Sequence, residues 1–223
     1  MKTNFYKNNL TANKYFKILE YKKKFSKRFL LKNFGLFAGD KTVYRFLLLF
    51  EILSKVRNIK GDIIEFGVWN GNNLLTIKKI TEYLNINKKL IGYDHFKGMP
   101  FSTNGNYFSG DKKLLKFFIN FFKLQKIFLI DDDFNNIKKY DKKIKKISFA
   151  YIDCDLYSET LKILNFIDSK ISKGGVIAFD EALRDEFKGE AKALKEFFKL
   201  KKKKYKMIKK TKFYQPDILL IKN

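Results

Sequence analysis

The chain has 223 residues, a formal net charge of +25 and 45% hydrophobic residues, among them 25 Phe and 12 Tyr. That hydrophobic content excludes a disordered chain, and no apolar run approaches the roughly 18 residues of a membrane span. The single cysteine, Cys154, excludes an internal disulfide framework and a cysteine-based zinc site, and the N-terminus lacks the apolar core of a signal peptide. We therefore expect a cytoplasmic protein.

The net charge has two interpretations. A strongly basic chain can bind nucleic acid or an anionic membrane. The excess of Lys over Arg, with abundant Asn, Ile, Phe and Tyr, is instead typical of AT-rich codons and a general preference for anionic ligands, because base readout and bidentate phosphate contacts favour Arg. We favour the second interpretation. A basic run within residues 194–210 is either a solvated helix end or a landing site for a nucleotide diphosphate, an anionic lipid or a polysaccharide.

The hydrophobic pattern predicts strands that alternate with helices. Residues 1–34 are basic and aromatic and predict a helix or a loop, and residues 41–57 have the apolar spacing of a helix. The strands that follow are predicted at 62–68, 89–94, 126–131, 146–153, 174–181, 206–211 and 217–222. Further helices are predicted at 72–85, 111–124, 157–171 and 189–203.

This alternation predicts an α/β fold with a mostly parallel sheet and helices on both faces. No linker rich in Pro, Gly or Ser and no repeat interrupts it, so we expect one domain at 41–223, preceded by a helical extension or lid at 1–40. Ligands in such folds bind at the carboxyl ends of the strands, near the point where the strand order switches.

Carboxylates follow five successive predicted strands. An apolar strand does not require them, and buried carboxylates need partners, so the pattern indicates a ligand site. These residues are Glu65, Asp94, Asp131, Asp132, Asp133, Asp153, Asp155, Asp180 and Glu181.

The turn after the first strand reads EFGVWNG. Gly67 and Gly71 permit a tight turn close to a ligand, but the run lacks the G-x-G-x-x-G pattern of dinucleotide binding, and Glu65 would repel a pyrophosphate. An acidic loop suits the ammonium, sulfonium and ribose diol of S-adenosylmethionine, with Asp94 placed to accept from the ribose hydroxyls. The alternative is a plain strand-to-helix turn with an incidental Glu65.

A second group follows the fourth and fifth strands. Asp153, Asp180 and Glu181 should converge there and repel one another unless protons or a cation intervene, and oxygen ligands favour Mg²⁺. Such an ion would lower the pKa of a substrate hydroxyl, with Asp153 or Asp155 as general base. The alternative is helix capping and turn chemistry, with Asp155 capping the next helix.

Five segments occur in the order seen in the macrocin O-methyltransferase family, which this chain resembles over about residues 40–200. They are GDIIEFGVWNGNNL, LIGYDHFKGMP, AYIDCDLYSETLKIL, SKGGVIAFDEA and GEAKALKEFF. The resemblance implies a Rossmann-like class I methyltransferase that uses S-adenosylmethionine and Mg²⁺ to methylate sugar hydroxyls, often on natural products or nucleotide-activated sugars.

The resemblance also implies roles for individual residues. Glu65, Gly67 and Asp94 would bind the cofactor, Asp153, Asp180 and Glu181 would hold the metal, and Asp153 would also be the candidate base. We add to the cofactor site, as weaker assignments, Trp69, Gly71, His95, Asp132 and Asp133. Trp69 and Tyr157 either line the pocket or only pack.

The chain departs from the family pattern in three places. Asp180-Glu181 replaces a pair of aspartates, and Asp94-His95-Phe96 replaces Asp-Ser-Phe, which leaves His95 as a base, a substrate contact or a residue without a role. After the third strand, IDDDFNN replaces a glycine-containing turn. Cys154 lies between two acids, which should raise the pKa of its thiol and disfavour its use as a nucleophile.

Three functions compete. The first is a metal-assisted sugar O-methyltransferase of polysaccharide biosynthesis, acting on an anionic, nucleotide-linked sugar, with homo-oligomerisation left open. The second is an RNA-directed methyltransferase, and the third is an inactive methyltransferase fold that binds nucleic acid. No appended RNA-binding module and no Asn-Pro-Pro-Tyr-like motif support the second, and the complete set of Glu65, Asp94, Asp153 and Asp180 disfavours the third.

Overall fold

The computed structural model describes residues 26–36, 38–99, 109–183, 188–210 and 215–223. The chain divides into two compact units, Met1–Tyr44 and Arg45–Asn223. The predicted lid at 1–40 lies largely outside the described residues, and that domain division stays a prediction. In the part of the chain that the structure describes, no helix is both long and apolar enough to cross a membrane.

The helices and strands follow the predicted order with small changes at their ends. The helices are α1 (Lys27–Lys32), α2 (Asp40–Val56), α3 (Asn72–Tyr83), α4 (Lys112–Phe121), α5 (Tyr157–Ile167) and α6 (Lys188–Lys201). The strands are β1 (Asp62–Phe66), β2 (Leu90–Asp94), β3 (Ile127–Asp131), β4 (Ile147–Ile152), β5 (Ile171–Phe179), β6 (Tyr205–Lys209) and β7 (Ile218–Lys222). Short 3₁₀ helices cover Phe34–Leu36 and Phe134–Tyr140.

The seven strands form one sheet in the order β3-β2-β1-β4-β5-β7-β6. The first five are parallel, and β7 runs antiparallel between β5 and β6. The strand order switches between β1 and β4, where Glu65 is in register with Tyr151. The α/β fold with a mostly parallel sheet is confirmed, and the switch point places the ends of β1 and β4 side by side.

Helices cover both faces of the sheet. On one face, α2, α3 and α4 bury Leu53, Ile77 and Leu115, and on the other, α5 and α6 bury Leu164 and Phe197. Because β4 lies between these layers, all six of its residues, ISFAYI, are buried, as in the near-continuous apolar strands of doubly covered parallel sheets. The polar residues that follow β4 are therefore held at the end of a rigid strand.

Gly67, directly after β1, lies against the backbone of Asp153, directly after β4. Its φ is +83°, and a Cβ atom there would stand 1.8 Å from the backbone oxygen of Asp153. Both the left-handed conformation and this approach require glycine. The spacing between the two halves of the predicted site therefore depends on this residue.

We expect Gly67→Ala to lower the free energy of unfolding by roughly 3 kcal/mol or more, because the methyl group clashes with backbone that cannot move aside. Chemical denaturation measures the change. Gly35→Ala is the matched control, since a Cβ atom at Gly35 meets nothing within 4 Å. A change below about 0.5 kcal/mol for Gly67→Ala would contradict the packing described here.

Candidate functional site

The loop between β1 and α3 adopts a left-handed backbone at three positions. Gly67 and Gly71 have φ values of +83° and +81°, and Trp69 has a φ of +49°. Gly71 is the N-cap of α3, and no side chain caps this end. The first-turn N–H groups of α3 therefore face the same edge of the sheet as the strand ends.

Asp94, at the end of β2, holds this loop through its carboxylate. Oδ2 accepts hydrogen bonds from the backbone N–H groups of Val68 and Trp69, both at 2.8 Å, and Oδ1 accepts from Phe96 N at 2.7 Å. Oδ1, which accepts only one of these bonds, retains acceptor capacity, so the predicted contact of Asp94 with ribose hydroxyls is compatible with them and stays a prediction.

The next residue, His95, belongs to the turn after β2. Its Nδ1 accepts a hydrogen bond from Lys97 N at 3.0 Å and lies 3.8 Å from Asp94 Oδ1. With Nδ1 accepting, Nε2 carries the proton in the neutral ring and is the atom available as a donor. A role for His95 in binding or catalysis stays a prediction.

Glu65, on β1, is buried with one oxygen atom unpaired. Its Oε1 accepts from Asn73 Nδ2 at 3.1 Å, while Oε2 has no hydrogen-bond partner among the described residues. Burial raises the pKa of Glu65 to about 8, against the opposing effects of Asn73 and Arg45. A buried, unpaired carboxylate oxygen is the atom expected to meet a ligand that carries a positive charge or a donor.

The carboxylates that follow β3 have local partners. Asp132 accepts from Asn136 Nδ2 at 2.7 Å and from the Tyr140 hydroxyl at 2.9 Å. Asp133 caps the following 3₁₀ helix by accepting from Asn135 N at 2.7 Å. Both side chains have structural roles, and their predicted place in the cofactor site stays a prediction.

Asp180, at the end of β5, is the centre of the second group. Its Oδ1 accepts from the Tyr151 hydroxyl and lies 3.2 Å from Arg45 Nη2, and its Oδ2 accepts from Gln215 Nε2 at 2.8 Å. Gln215 also donates to Glu181 Oε1. The predicted neighbours Asp180 and Glu181 therefore share one amide donor.

Two further acids belong to this group, Glu190, which is buried, and Asp153, which is half-buried. Burial raises the pKa of Asp153 well above its ordinary range, and so does the charge of Asp180. Burial likewise raises the pKa of Glu190, followed by the charges of Asp155 and Asp180. Glu190, on α6, reaches this group through Oε1, which accepts from Glu181 N at 3.4 Å, and its Oε2 has no hydrogen-bond partner among the described residues.

Among the described residues, Arg45 is the cation that forms an ion pair with Asp180. Burial by itself would lower the pKa of Arg45, but Tyr151 and Asp180 raise it, so the guanidinium stays charged. Several buried carboxyl groups thus surround one guanidinium, and the surplus must be balanced by protons or by another cation.

The oxygen donors of Asp153, Asp180 and Glu181 suit a hard cation such as Mg²⁺. As they stand, the described residues contain no group of three or more His, Cys, Asp or Glu side chains arranged to hold a metal. The oxygen chemistry of these residues suits Mg²⁺, but the described side chains are not arranged as a metal site, so the metal and its three ligands both stay predictions.

The loop after β4 shows which residue caps α5. The N-cap of α5 is Leu156, so Asp155 is not the capping residue, and Asp155 has a φ of +56°. The pKa of the Cys154 thiol is raised, as predicted, although burial is the main cause and the charges of Glu190 and Asp153 are secondary. The Tyr157 hydroxyl donates to Glu196 Oε2 at 2.5 Å, and whether its ring lines the pocket or only packs stays open.

Sequence reasoning missed five residues of the site: Arg45, Asn73, Tyr151, Glu190 and Gln215. Two of them carried a signal. Arg45 is the only charged residue in the run TVYRFLLLF, and Tyr151 lies two residues before Asp153 on the same face of β4. Gln215 and Glu190 come from distant elements, and only the tertiary fold brings them to the carboxylates.

The strand order, with its antiparallel seventh strand, is that of the Rossmann-like class I methyltransferase fold. The sequence model of the macrocin-O-methyltransferase (TylF) family matches residues 45–212. The chain belongs to this family and is an S-adenosylmethionine-dependent O-methyltransferase. No curated protein matches it in sequence.

Solved structures share the fold. The calicheamicin methyltransferase CalS11 superposes with a TM-score of 0.79 at 21% identity, over 96% of this chain and 93% of that one. The apo structure of CalS11, described as a TDP-rhamnose 3′-O-methyltransferase, gives 0.74 at 23% identity, over 96% and 95%. The O-methyltransferase NovP gives 0.70 at 16% identity, over 81% and 80%.

The raised pKa of Glu65 predicts how stability depends on pH. The folded protein binds this proton up to about pH 8, whereas the ordinary pKa of Glu is 4.5. The stability that the protonated group contributes is therefore present at low pH and is lost as pH rises through this window. We expect Glu65→Gln to flatten the decline in the free energy of unfolding between about pH 5 and about pH 8.5 by roughly 2–4 kcal/mol.

Denaturation at the two pH values measures this difference. Glu51→Gln is the control, because the pKa of Glu51, a surface residue paired with Lys55, is lowered rather than raised. Because Asp153 and Glu190 also have raised pKa values, part of the decline in the free energy of unfolding should remain in both variants. An identical decline in Glu65→Gln and in the unmodified protein would show that Glu65 does not titrate in this range.

Proposed function

We propose that the protein transfers the methyl group of S-adenosylmethionine to a hydroxyl of a sugar, with the help of a divalent cation. The observation that carries this proposal is the surplus of buried carboxyl groups at the ends of β4 and β5, beside the glycine loop of β1. Membership of the macrocin-O-methyltransferase family supports it, and so does the fold shared with CalS11.

In this proposal the cofactor lies along the ends of β1 and β2. The unpaired Oε2 of Glu65 accepts from the ammonium group, Asp94 accepts from the ribose, and the open start of α3 after Gly71 contacts the carboxylate of the methionine moiety. Glu65 is well suited to this because a nearby positive charge favours its ionised form and lowers its pKa. Trp69, half exposed in the same loop, borders the opening.

The acceptor would lie beside the second group, and Asp153, Asp180 and Glu181 are the residues that would hold Mg²⁺. When bound, the ion would lower the pKa of the acceptor hydroxyl. Asp153 or its neighbour Asp155 takes the proton from that hydroxyl, and the fixed strand ends hold donor and acceptor in line. Arg45 and Tyr151 keep Asp180 oriented through their hydrogen bonds.

The acceptor is proposed to be anionic, a nucleotide-linked sugar of polysaccharide biosynthesis. The formal net charge of +25 attracts such a molecule at long range, although it carries no information about the sugar. The experiment is to incubate the protein with methyl-labelled S-adenosylmethionine, Mg²⁺ and matched acceptors: nucleotide-activated sugars, the corresponding free sugars, and RNA. We expect label on the nucleotide-activated sugars, and label on RNA alone would contradict the proposal.

Asp153→Asn tests the catalytic half of the site. We expect the rate of methyl transfer to fall by at least about 100-fold, because the variant loses both a metal ligand and a candidate base. The affinity for S-adenosylmethionine, measured by calorimetry, should change little. Asp141→Asn is the control, since Asp141 is an exposed acid that pairs with Lys170. Full turnover in Asp153→Asn would remove Asp153 from the mechanism.

A further inference from the structure

Five aromatic side chains on α2, α3 and the end of α4 are exposed on the outer surface of one helix layer. We call them the aromatic patch: Phe50, Tyr83, Phe117, Phe121 and Phe122. Their exposed fractions run from 41% for Phe50 to 78% for Tyr83. Large contiguous apolar surfaces of this kind mark contact sites on soluble domains.

The patch is continuous across the three helices. The Phe50 and Tyr83 rings have centroids 6.1 Å apart, which joins α2 to α3. One turn before Tyr83, Lys79 places its Nζ 4.4 Å from the centroid of the Phe122 ring, which joins α3 to α4. Along α4, the Phe121 ring is 5.1 Å from Phe122 and 5.8 Å from Phe117.

Lysines accompany the aromatic side chains of α4. Residues 112–126, which contain α4 and the turn after it, have no acidic residue and five lysines: Lys112, Lys113, Lys116, Lys123 and Lys126. Of these, Lys112 pairs with Asp131 at 2.5 Å. The acids on the neighbouring helices are paired, Glu51 with Lys55 at 2.5 Å and Glu82 with Lys78 at 3.4 Å. An apolar centre with a lysine rim is the composition of segments that lie in the interface of an anionic membrane.

We propose that the aromatic patch docks the protein on the surface of an anionic lipid bilayer. The phenyl rings would enter the boundary between head groups and acyl chains, while the lysines contact anionic head groups. This proposal does not depend on the sugar acceptor or on the metal.

Two other partners fit the patch less well. A second copy of this chain would bring two lysine rims together, and each copy carries a formal net charge of +25. Single-stranded nucleic acid stacks its bases on open ring faces, often with arginine. Here Phe117 stacks on Phe121 and Phe118 on Phe122, and Lys79 covers Phe122, so neighbouring side chains occupy part of the ring surface.

The patch leaves the candidate active site accessible. The start of α4 lies at the site, because Asp111 N donates to Asn70 Oδ1 at 2.8 Å in the β1–α3 loop. Phe121 and Phe122 lie at the other end of this helix, about 15 Å away at 1.5 Å per residue. Tyr83 is likewise the last residue of α3, whose first turn follows Gly71. A docked protein would keep the ends of its β-strands away from the bilayer.

Vesicle co-sedimentation tests the proposal with the full chain. The probes are vesicles of phosphatidylglycerol mixed with phosphatidylcholine and vesicles of pure phosphatidylcholine. We expect at least about tenfold stronger partition onto the anionic vesicles, decreasing as salt is added. The double variant Phe117→Ala/Phe121→Ala should lose at least about tenfold of this partition.

Phe128→Ala is the matched control, because Phe128 is 50% exposed on edge strand β3, outside the patch. It should partition like the unmodified protein. The unfolding midpoint and the methyl-transfer rate on a soluble acceptor should be alike in both variants, which separates this test from that of the proposed function. If the double variant does not fold, Lys113→Glu/Lys116→Glu should show the same loss.

Three results would overturn the proposal. The first is equal partition onto anionic and neutral vesicles, or none onto either. The second is full partition of the folded double variant. The third is a dimer seen by light scattering, or a complex with RNA, that the double variant abolishes while vesicle binding is absent from the unmodified protein.

Discussion

The buried negative charge at the switch in strand order is the constraint on which the rest of this structure depends. The parallel sheet brings the ends of β1, β4 and β5 to one edge, where Glu65, Asp180 and Glu181 are buried and Asp153 is half-buried. Arg45, Tyr151 and Gln215 orient Asp180, but one guanidinium does not neutralise Glu65, Asp153, Asp180 and Glu190 together. Burial is the main cause of the raised pKa values of Glu65, Asp153 and Glu190, and the charges of neighbouring acids raise these values further.

The proposed methyl transfer to a hydroxyl would use these acids in two ways. The cationic cofactor would favour the ionised form of Glu65, and another acid would accept the proton that the acceptor hydroxyl loses. The close approach of Gly67 to the backbone of Asp153 holds these two halves next to each other. In the proposed mechanism, rigid strand ends rather than loops would set the distance between the methyl donor and the acceptor hydroxyl. Catalysis by positioning two reactants requires such a fixed distance.

Much of the fold was predictable because the pattern is locally consistent. ISFAYI is apolar at most positions because β4 is covered on both faces, and the alternation with amphipathic helices then leaves few topologies. Glu65, Asp94, Asp153 and Asp180 were also predictable, because acids at the ends of apolar strands are conspicuous. The parallel sheet alone places these four acids at the same edge.

The partners of these acids were not predictable in the same way. Asn73 and Tyr151 are near in sequence to Glu65 and Asp153, but Gln215 reaches Asp180 from 35 residues further along the chain. Asp94 was predicted as a ligand contact, and its three backbone hydrogen bonds to Val68, Trp69 and Phe96 depend on loop geometry that composition does not encode. The aromatic patch also escaped sequence reading, because Phe117 and Phe121 follow the same helical spacing as core residues.

The central claim is that the carboxyl groups at the ends of β4 and β5 take up a divalent cation. The most direct measurement is calorimetric titration of Mg²⁺ into the folded protein and into Asp153→Asn. Saturable binding of one ion to the unmodified protein, with the binding lost in the variant, is the predicted result. Absence of binding to the folded protein, or equal binding to the variant, would contradict the account.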